Sequence, residues 1–442
     1  MDLLPRTEEV SFPDVQIGNA LARIAYTILC AFIVLLPWGE EFMRLNGLVL
    51  ATWIGIVVFG IAAMRTMVLG RARRLSPPHY CMLAFIGWIV LSILWTTDRD
   101  VTTTSITTHL ELLALVWLVW ELVPSQRLVE GLLQSYIIGS LIASAMTLYN
   151  FVNGRTAAQL AAAEGIDVWE TSRYSVSGVN ENDLGVILAL SIPIVFYILA
   201  SQKRPLIKLI CWLQLIAGFT AILLTASRGA LAAAVIGLAM FPLIVSRLSR
   251  QQKLLSLVAC GCLIACGMFL VPSSSWERIA AAKSELVGGT LTHRTLLWAA
   301  GLSVFRDHPF LGVGAGAYGL SILRMVDVPL VAHNTFLSIL VELGVSGALV
   351  LVGLLGCLFY CASRMQYLER CLWTILLLTW ATGVSSLTWE YHKPTWLLFG
   401  LLAAHAYSRR TVERRLETPV LEREPSPRQL QPVEALSLRE CS

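Results

Sequence analysis

Apolar runs long enough to cross a hydrocarbon layer, about 17–25 residues each, recur twelve times along this chain. Their approximate extents are 17–37, 46–64, 80–96, 108–123, 129–151, 184–200, 206–225, 229–246, 254–272, 334–360, 371–388 and 394–408. Inside a bilayer no water is available to backbone N–H and C=O groups, and a helix satisfies its own. The fold class read from this pattern is an all-α polytopic membrane protein of about twelve transmembrane helices. Composition agrees: 56% of residues are hydrophobic and 14% charged, where a soluble domain has roughly 45–50% and about 25%.

Lysine and arginine in the short connections set the orientation. One set of connections carries Arg65, Arg71, Arg73 and Arg74, then Arg127, then Lys203, Arg204 and Lys208, then Arg247, Arg250 and Lys253, then Arg364 and Arg370, and finally Arg409, Arg410, Arg414 and Arg415. The opposite set carries little beyond Arg44, Arg99, Arg228 and Lys393. Both termini are therefore expected to be cytoplasmic, with segments 152–183 and 273–333 on the far side, the periplasm of a Gram-negative cell. Residues 1–16 are polar and acidic and the first apolar run is long enough to span, so no cleavable signal peptide is expected. The domain plan is a cytoplasmic N-terminus (1–16), a membrane domain (17–408) and a polar tail (409–442) expected to be disordered. The net charge of +4 follows from membrane topology and calls for no nucleic acid.

Nine of the ten cysteines lie in or beside apolar runs, and none lies in the two long external segments, which argues against a disulfide framework. Cys260, Cys262 and Cys266 share one run with no His or acidic neighbour and read as packing residues rather than as a metal site. Asp98 and Asp100 form an acidic pair at an external loop; the Thr-rich run after them reads equally well as a solvated turn.

The external segment 273–333 is the longest polar insertion in the hydrophobic body, and it separates spans nine and ten. Residues 275–287 read as a surface helix. Residues 292–307 read as an amphipathic helix lying in the interface, with Arg294, Trp298, Gly301 and Phe305 on one face. The following PFLGVGAGAYG (309–319), which includes Tyr318, reads as a flexible turn. It has no preceding strand and no following GK[ST], so a nucleotide-binding reading is disfavoured. In segment 152–183 an Ala-rich stretch reads as a short helix, and Asn180 and Asn182 belong to a polar cluster at the mouth of the sixth span.

Three residues invite a chemical reading. Arg228 stands at a short external turn, either snorkelling to headgroups or gripping a diphosphate with its planar fork. Arg294 is either a headgroup or salt-bridge residue or a second clamp on a leaving group that gains charge. His333, just before Asn334 at the mouth of the tenth run, is either a buried or capping residue or a general base. Glu342 lies nine residues further on, about 13.5 Å along a helix at ~1.5 Å per residue, too deep to meet the same atom, and reads as a buried network member. Glu111 reads the same way.

Four segments together resemble the O-antigen ligase/polymerase family of bacterial envelope glycosyltransferases: GVNENDLG (178–185), TASRGA (225–230), HRTLLWAAGLSVFRDHPFLGVGAGAYG (293–319) and AHNTFLSILVELGVSG (332–347). The resemblance implies a GT-C-type, inverting, metal-independent and cofactor-free transferase of the bacterial inner membrane. Its donor would be a glycan on undecaprenyl diphosphate, used at the periplasmic face. It implies that Arg228 and Arg294 bind the diphosphate and that His333 activates the acceptor hydroxyl, with Asn180, Asn182, Tyr318, Asn334 and Glu342 as supporting candidates. In the ligase branch the acceptor is lipid A–core, in the polymerase branch another lipid-linked glycan, and in a third branch a protein. The short polar tail argues against the third, and the cationic loop beside an Arg–His site favours the ligase. A polysaccharide or lipid transporter is the competing class. It would show ionisable groups at mid-membrane and repeated halves, whereas the candidates here cluster at one face and no repeat is visible. A non-catalytic envelope assembly protein is the third hypothesis.

Overall fold

The computed structural model describes residues 12–38, 44–45, 48–70, 72–163, 172–269, 272–280, 294–326 and 329–417. The protein is a helical bundle. Its helices are α1 (Phe12–Leu35), α2 (Leu50–Val68), α3 (Pro77–Leu91), α4 (Arg99–Leu122), α5 (Gln126–Val152), α6 (Ala157–Ala163), α7 (Glu181–Ser201), α8 (Pro205–Leu224), α9 (Arg228–Leu238), α10 (Met240–Ile244), α11 (Arg250–Phe269), α12 (Ser273–Ala280), α13 (Arg294–Asp307), α14 (Tyr318–Ser321), α15 (Leu323–Val326), α16 (Thr335–Ser363), α17 (Tyr367–Val384) and α18 (Lys393–Glu417). A two-residue antiparallel pairing joins Arg44–Leu45 to Leu48–Val49. Each of the twelve apolar runs is helical over most of its described residues. Among the described residues, α1, α2, α3 with its 3₁₀ extension, α4, α5, α7, α8 and α16 are long and apolar enough to cross a membrane.

Helix α7 is apolar on all sides and is the hub of the bundle. It is buried along nearly its whole length and packs against α8, α9 and α17. Gly237 of α9 lets the two backbones close up, since a Cβ there would press on Pro193 Cδ and the Ala189 carbonyl. The run read as 229–246 breaks into α9 and α10 at Ala239.

The largest departure from the sequence reading is PFLGVGAGAYG. It is a fixed element built into a break in α16. Gly344 has φ 67° and ψ −173°, which no helix accommodates, and the segment fills the gap backbone to backbone. The amides of Val313 and Gly314 donate to the carbonyls of Val341 and Glu342 (3.1 and 2.9 Å), and those of Val345 and Ser346 donate back to Pro309 and Phe310 (2.8 and 3.3 Å). Trp88 Nε1 donates to the Leu343 carbonyl (3.1 Å) and Trp95 Nε1 to that of Leu311 (2.9 Å). The Thr97 amide bonds the Val313 carbonyl at 2.9 Å, Thr102 Oγ1 bonds the Ala315 carbonyl at 2.9 Å, and the Ala315 amide bonds Ser92 Oγ at 3.1 Å. A non-helical segment inside a membrane protein is tolerated only when its backbone is satisfied in this way. Gly312 and Gly314 (φ +70° and +103°) are required: a Cβ would run into the Glu342 backbone at the first and Thr96 at the second. The Thr-rich run is accordingly no solvated turn. It opens α4, with Asp98 as N-cap accepting from the Val101 amide and Thr102 fully buried.

Other boundaries also move. Helix α13 buries Leu297, Ala300, Gly301 and Val304, so of the expected Arg294–Trp298–Gly301–Phe305 face Gly301 is buried and Trp298 and Phe305 are partly buried against the same cluster, because the α16 break gives the helix a protein surface to pack on. Glu111 is exposed, on the wall of an apolar cavity of about 510 Å³ that Lys393 also lines, and is not a buried network member. Helix α18 continues to Glu417, nine residues into the segment read as tail. The remainder of the tail (418–442), the first eleven residues, and 281–293 of the long insertion lie outside the described residues.

Candidate active site

Four segments meet at one end of the bundle, and each carries residues of the site. The first is the α8–α9 turn. Thr225 ends α8, Ala226 takes a left-handed conformation (φ 48°), and Ser227 caps α9 by accepting from the Ala230 amide. Arg228 is then the first residue of α9. A non-glycine residue at positive φ is uncommon and persists where its surroundings hold it there.

The second is the segment before α7, and its key residue is Arg173, which the sequence reading passed over. The Arg173 side chain is buried. Its Nε donates to the Thr225 carbonyl at 2.7 Å and its Nη2 to Asn182 Oδ1 at 2.8 Å, while Nη1 stands 3.6 Å from Glu181. Arg173 thus ties the Arg228 turn to the mouth of α7. Asn180 caps α7 by accepting from the Asn182 amide at 2.9 Å.

The third is the start of α16. His333 is the second non-glycine residue at positive φ (47°), and Asn334 caps α16 by accepting from the Leu337 amide at 3.1 Å. The two candidate loops therefore share one device, a left-handed residue that throws the chain into a capped helix start. Trp298 of α13 fixes the preceding residue by donating Nε1 to the Ala332 carbonyl at 2.9 Å. Tyr318 donates its hydroxyl to the Leu297 carbonyl at 2.8 Å. Arg294 opens α13 and is near enough for its charge to act on His333. Burial first, and that charge second, lower the His333 pKa to about 4.

The fourth is the α17–α18 loop, which knits the others together. Thr335 Oγ1 donates to the Leu387 carbonyl (2.9 Å) and accepts from the Trp389 amide (2.7 Å). Trp389 Nε1 donates to Asp183 Oδ1 at 2.8 Å. Ser386 packs on Gly229, where any Cβ would collide with its hydroxyl. Arg228 and His333 are thereby brought to opposite sides of one short stretch, Ser386–Leu387.

Glu342 is joined to this end by the inserted glycine segment. Its Oε2 accepts from the Gly316 amide at 2.7 Å, and its Oε1 from the Tyr318 amide and Ser338 Oγ, both at 3.3 Å. Ser338 Oγ also reaches Glu390 Oε1 at 2.9 Å. Glu342 and Ala332, one residue from His333, line the same small cavity, so the carboxyl is less remote from the His333 turn than helix spacing suggests. Asn180 and Asn334 are helix caps and Asn182 is a partner of Arg173. Glu390, unread in the sequence, is an acidic residue in the short polar link WEYHK (389–393) between two apolar runs, the signal that would have found it. Burial raises its carboxyl above the usual range.

Arg228 opens α9 and Arg294 opens α13, His333 stands just before α16, and Glu342 and Glu390 are joined through Ser338. No curated protein matches the chain. Residues 212–352 of this multi-pass membrane protein match the family model described as O-antigen ligase, and over that stretch, which contains Arg228, Arg294, His333 and Glu342, the chain is similar to that family.

Proposed function

We propose that the protein is an O-antigen ligase, transferring a glycan from undecaprenyl diphosphate to a sugar hydroxyl of lipid A–core at the periplasmic face of the bacterial inner membrane. Arg228 and Arg294 hold the diphosphate, because a guanidinium fork matches phosphate oxygens and stays charged. The acceptor oxygen attacks the anomeric carbon with inversion, the bond to the diphosphate breaks, its electron pair leaves with the phosphate, and the hydroxyl proton passes to His333. The transfer takes no cofactor and no metal: Asp98 is engaged as a helix cap, and the cations needed to stabilise the leaving group are arginines.

The observation that carries this reading is the pairing of His333 with Arg294. An imidazole held near pKa 4 by burial and an adjacent cation is neutral at physiological pH and free to accept a proton. When an anionic donor neutralises Arg294, the lesser of the two lowering effects is offset while burial remains, and His333 becomes a stronger base. Donor binding thereby prepares the base.

The test is product analysis with the purified protein in liposomes, given an undecaprenyl-diphosphate glycan with and without lipid A–core. Glycan on lipid A–core supports the ligase. Lengthening of the lipid-linked chain without that acceptor makes the protein a polymerase of O-antigen or exopolysaccharide using the same donor.

A further inference from the structure

A cavity of about 150 Å³ opens beside the His333 turn, between the first turns of α16, the α17–α18 loop and the Gly316–Gly319 backbone. Ser338, Glu342, Thr388 and Glu390 form its polar wall, Tyr318 and Tyr391 its aromatic wall, and Ala332 carries it to the His333 turn. Ser338 has one proton to share between the two carboxyl groups it faces. Glu342 is well supplied, with two backbone amides on its oxygens. Glu390 is not. The residue is only 8% exposed, and its Oε2 is buried with no hydrogen-bond partner among the described residues. The same holds for Thr388 Oγ1, on a residue 7% exposed. Native structures rarely leave buried polar atoms unpaired, and each such atom costs about 1–3 kcal/mol, more if charged. Both atoms belong to residues that line this cavity, closed off from it by their neighbours, so a ligand that draws either side chain outward supplies the missing partner.

The wall chemistry selects the ligand. Among the described residues no cationic side chain lines the cavity, and its carboxyl groups repel phosphate. A metal cation is disfavoured because N–H and O–H donors already point at Glu342. A sugar ring offers hydroxyls that donate to a carboxylate oxygen and exchange hydrogen bonds with a threonine, and its C–H faces lie against tyrosine rings. The volume equals that of roughly five waters at ~30 Å³ each, room for one ring.

We propose that this cavity is a carbohydrate subsite, in which one pyranose ring is held beside the His333 turn by hydroxyl hydrogen bonds to the Glu390 carboxyl and the Thr388 hydroxyl. The proposal rests on the glycan-transfer reading above and adds to it the residues that choose the sugar. Diphosphate and sugar are sorted by charge, the first toward the arginines and the second toward the carboxyl groups.

The experiment is saturation-transfer NMR on the full-length protein in detergent, with methyl glycosides of a hexose, an N-acetylhexosamine, a 6-deoxyhexose and a heptose. At least one glycoside is expected to receive saturation from the wild type. The signal should weaken about tenfold or more in both Glu390→Gln and Thr388→Val, the loss of one charge-assisted or buried hydrogen bond, and persist in Arg228→Lys. No signal with any glycoside, a cavity filled by water only, overturns the proposal, as does equal signal in both variants. Transfer from the lipid-linked glycan is measured on the same preparations. Glu390-dependent binding without transfer leaves the subsite standing and removes the transfer reading. Transfer with unchanged KM in both variants removes the subsite and leaves the transfer reading standing.

Discussion

The Gly316 amide donates to Glu342 Oε2 at 2.7 Å, joining the inserted glycine segment to the helix it interrupts. This bond and the Tyr318 amide at 3.3 Å hold the cavity wall at a fixed depth below His333. The backbone geometry that permits it depends on Gly314, whose φ of +103° leaves no room for a Cβ beside Thr96. Gly314→Ala should therefore lower stability by at least about 1–2 kcal/mol, the left-handed penalty alone, before the clash is added. Thermal unfolding in detergent reads this as a lower midpoint; an unchanged midpoint would mean the segment does not need this conformation.

Arg173 tests how the Arg228 turn is held. Removing the guanidinium leaves the Thr225 carbonyl and Asn182 Oδ1 without their donor and Glu181 without its cation. Losing one partner of a buried ion pair typically costs 3–5 kcal/mol, and Arg173→Ala should approach the low end, about 3 kcal/mol. Because the damage reaches Arg228, KM for the lipid-linked donor should rise in whatever fraction folds. A variant with native KM would make Arg173 a purely structural tie.

Arg228→Lys and Arg294→Lys keep the charge and lose the fork. If each arginine gives a charge-assisted pair worth about 1.5–3 kcal/mol, each variant should lose roughly tenfold to a hundredfold in kcat/KM. Normal kinetics in both would rule out bidentate phosphate binding. EDTA should leave the activity unchanged, and loss of activity there would return Asp98 and Asp100 to consideration as metal ligands.

The pH profile carries a signed expectation. His333 must be neutral to act as a base, so activity falls where it becomes protonated. In the free enzyme that limb lies near the lowered value of about 4, well below the ordinary ~6.5. Donor phosphate screens Arg294 in the complex, so the limb should move upward there. The profile of kcat/KM reports the free enzyme and that of kcat the complex; the acid limb of kcat should therefore lie at the higher pH. Coincident limbs would show that Arg294 does not feel the donor.

The helices were legible because a membrane span writes itself as a continuous apolar run; each of the twelve runs holds helix, and among the described residues eight helices are long and apolar enough to span. Arg228 and His333 were legible as polar residues at the mouths of apolar runs, and Arg294 as the start of an amphipathic helix. The inserted segment was not. Glycine spacing in 309–319 reads as flexibility, and the partner that makes it rigid is a backbone break at Gly344, about thirty residues on, where hydropathy shows no interruption. Glu390 was hidden for a related reason: Ser338, the side chain that gives it a role, is 52 residues away. Arg173 lay in a segment whose neighbours drew attention only as loop.

The most direct measurement is glycan transfer by purified His333→Ala beside the wild type, with binding of the undecaprenyl-diphosphate donor measured on the same samples. The account predicts that donor binding survives and transfer is lost. Transfer by the variant at ordinary pH would contradict it, since the acceptor proton would then have another destination.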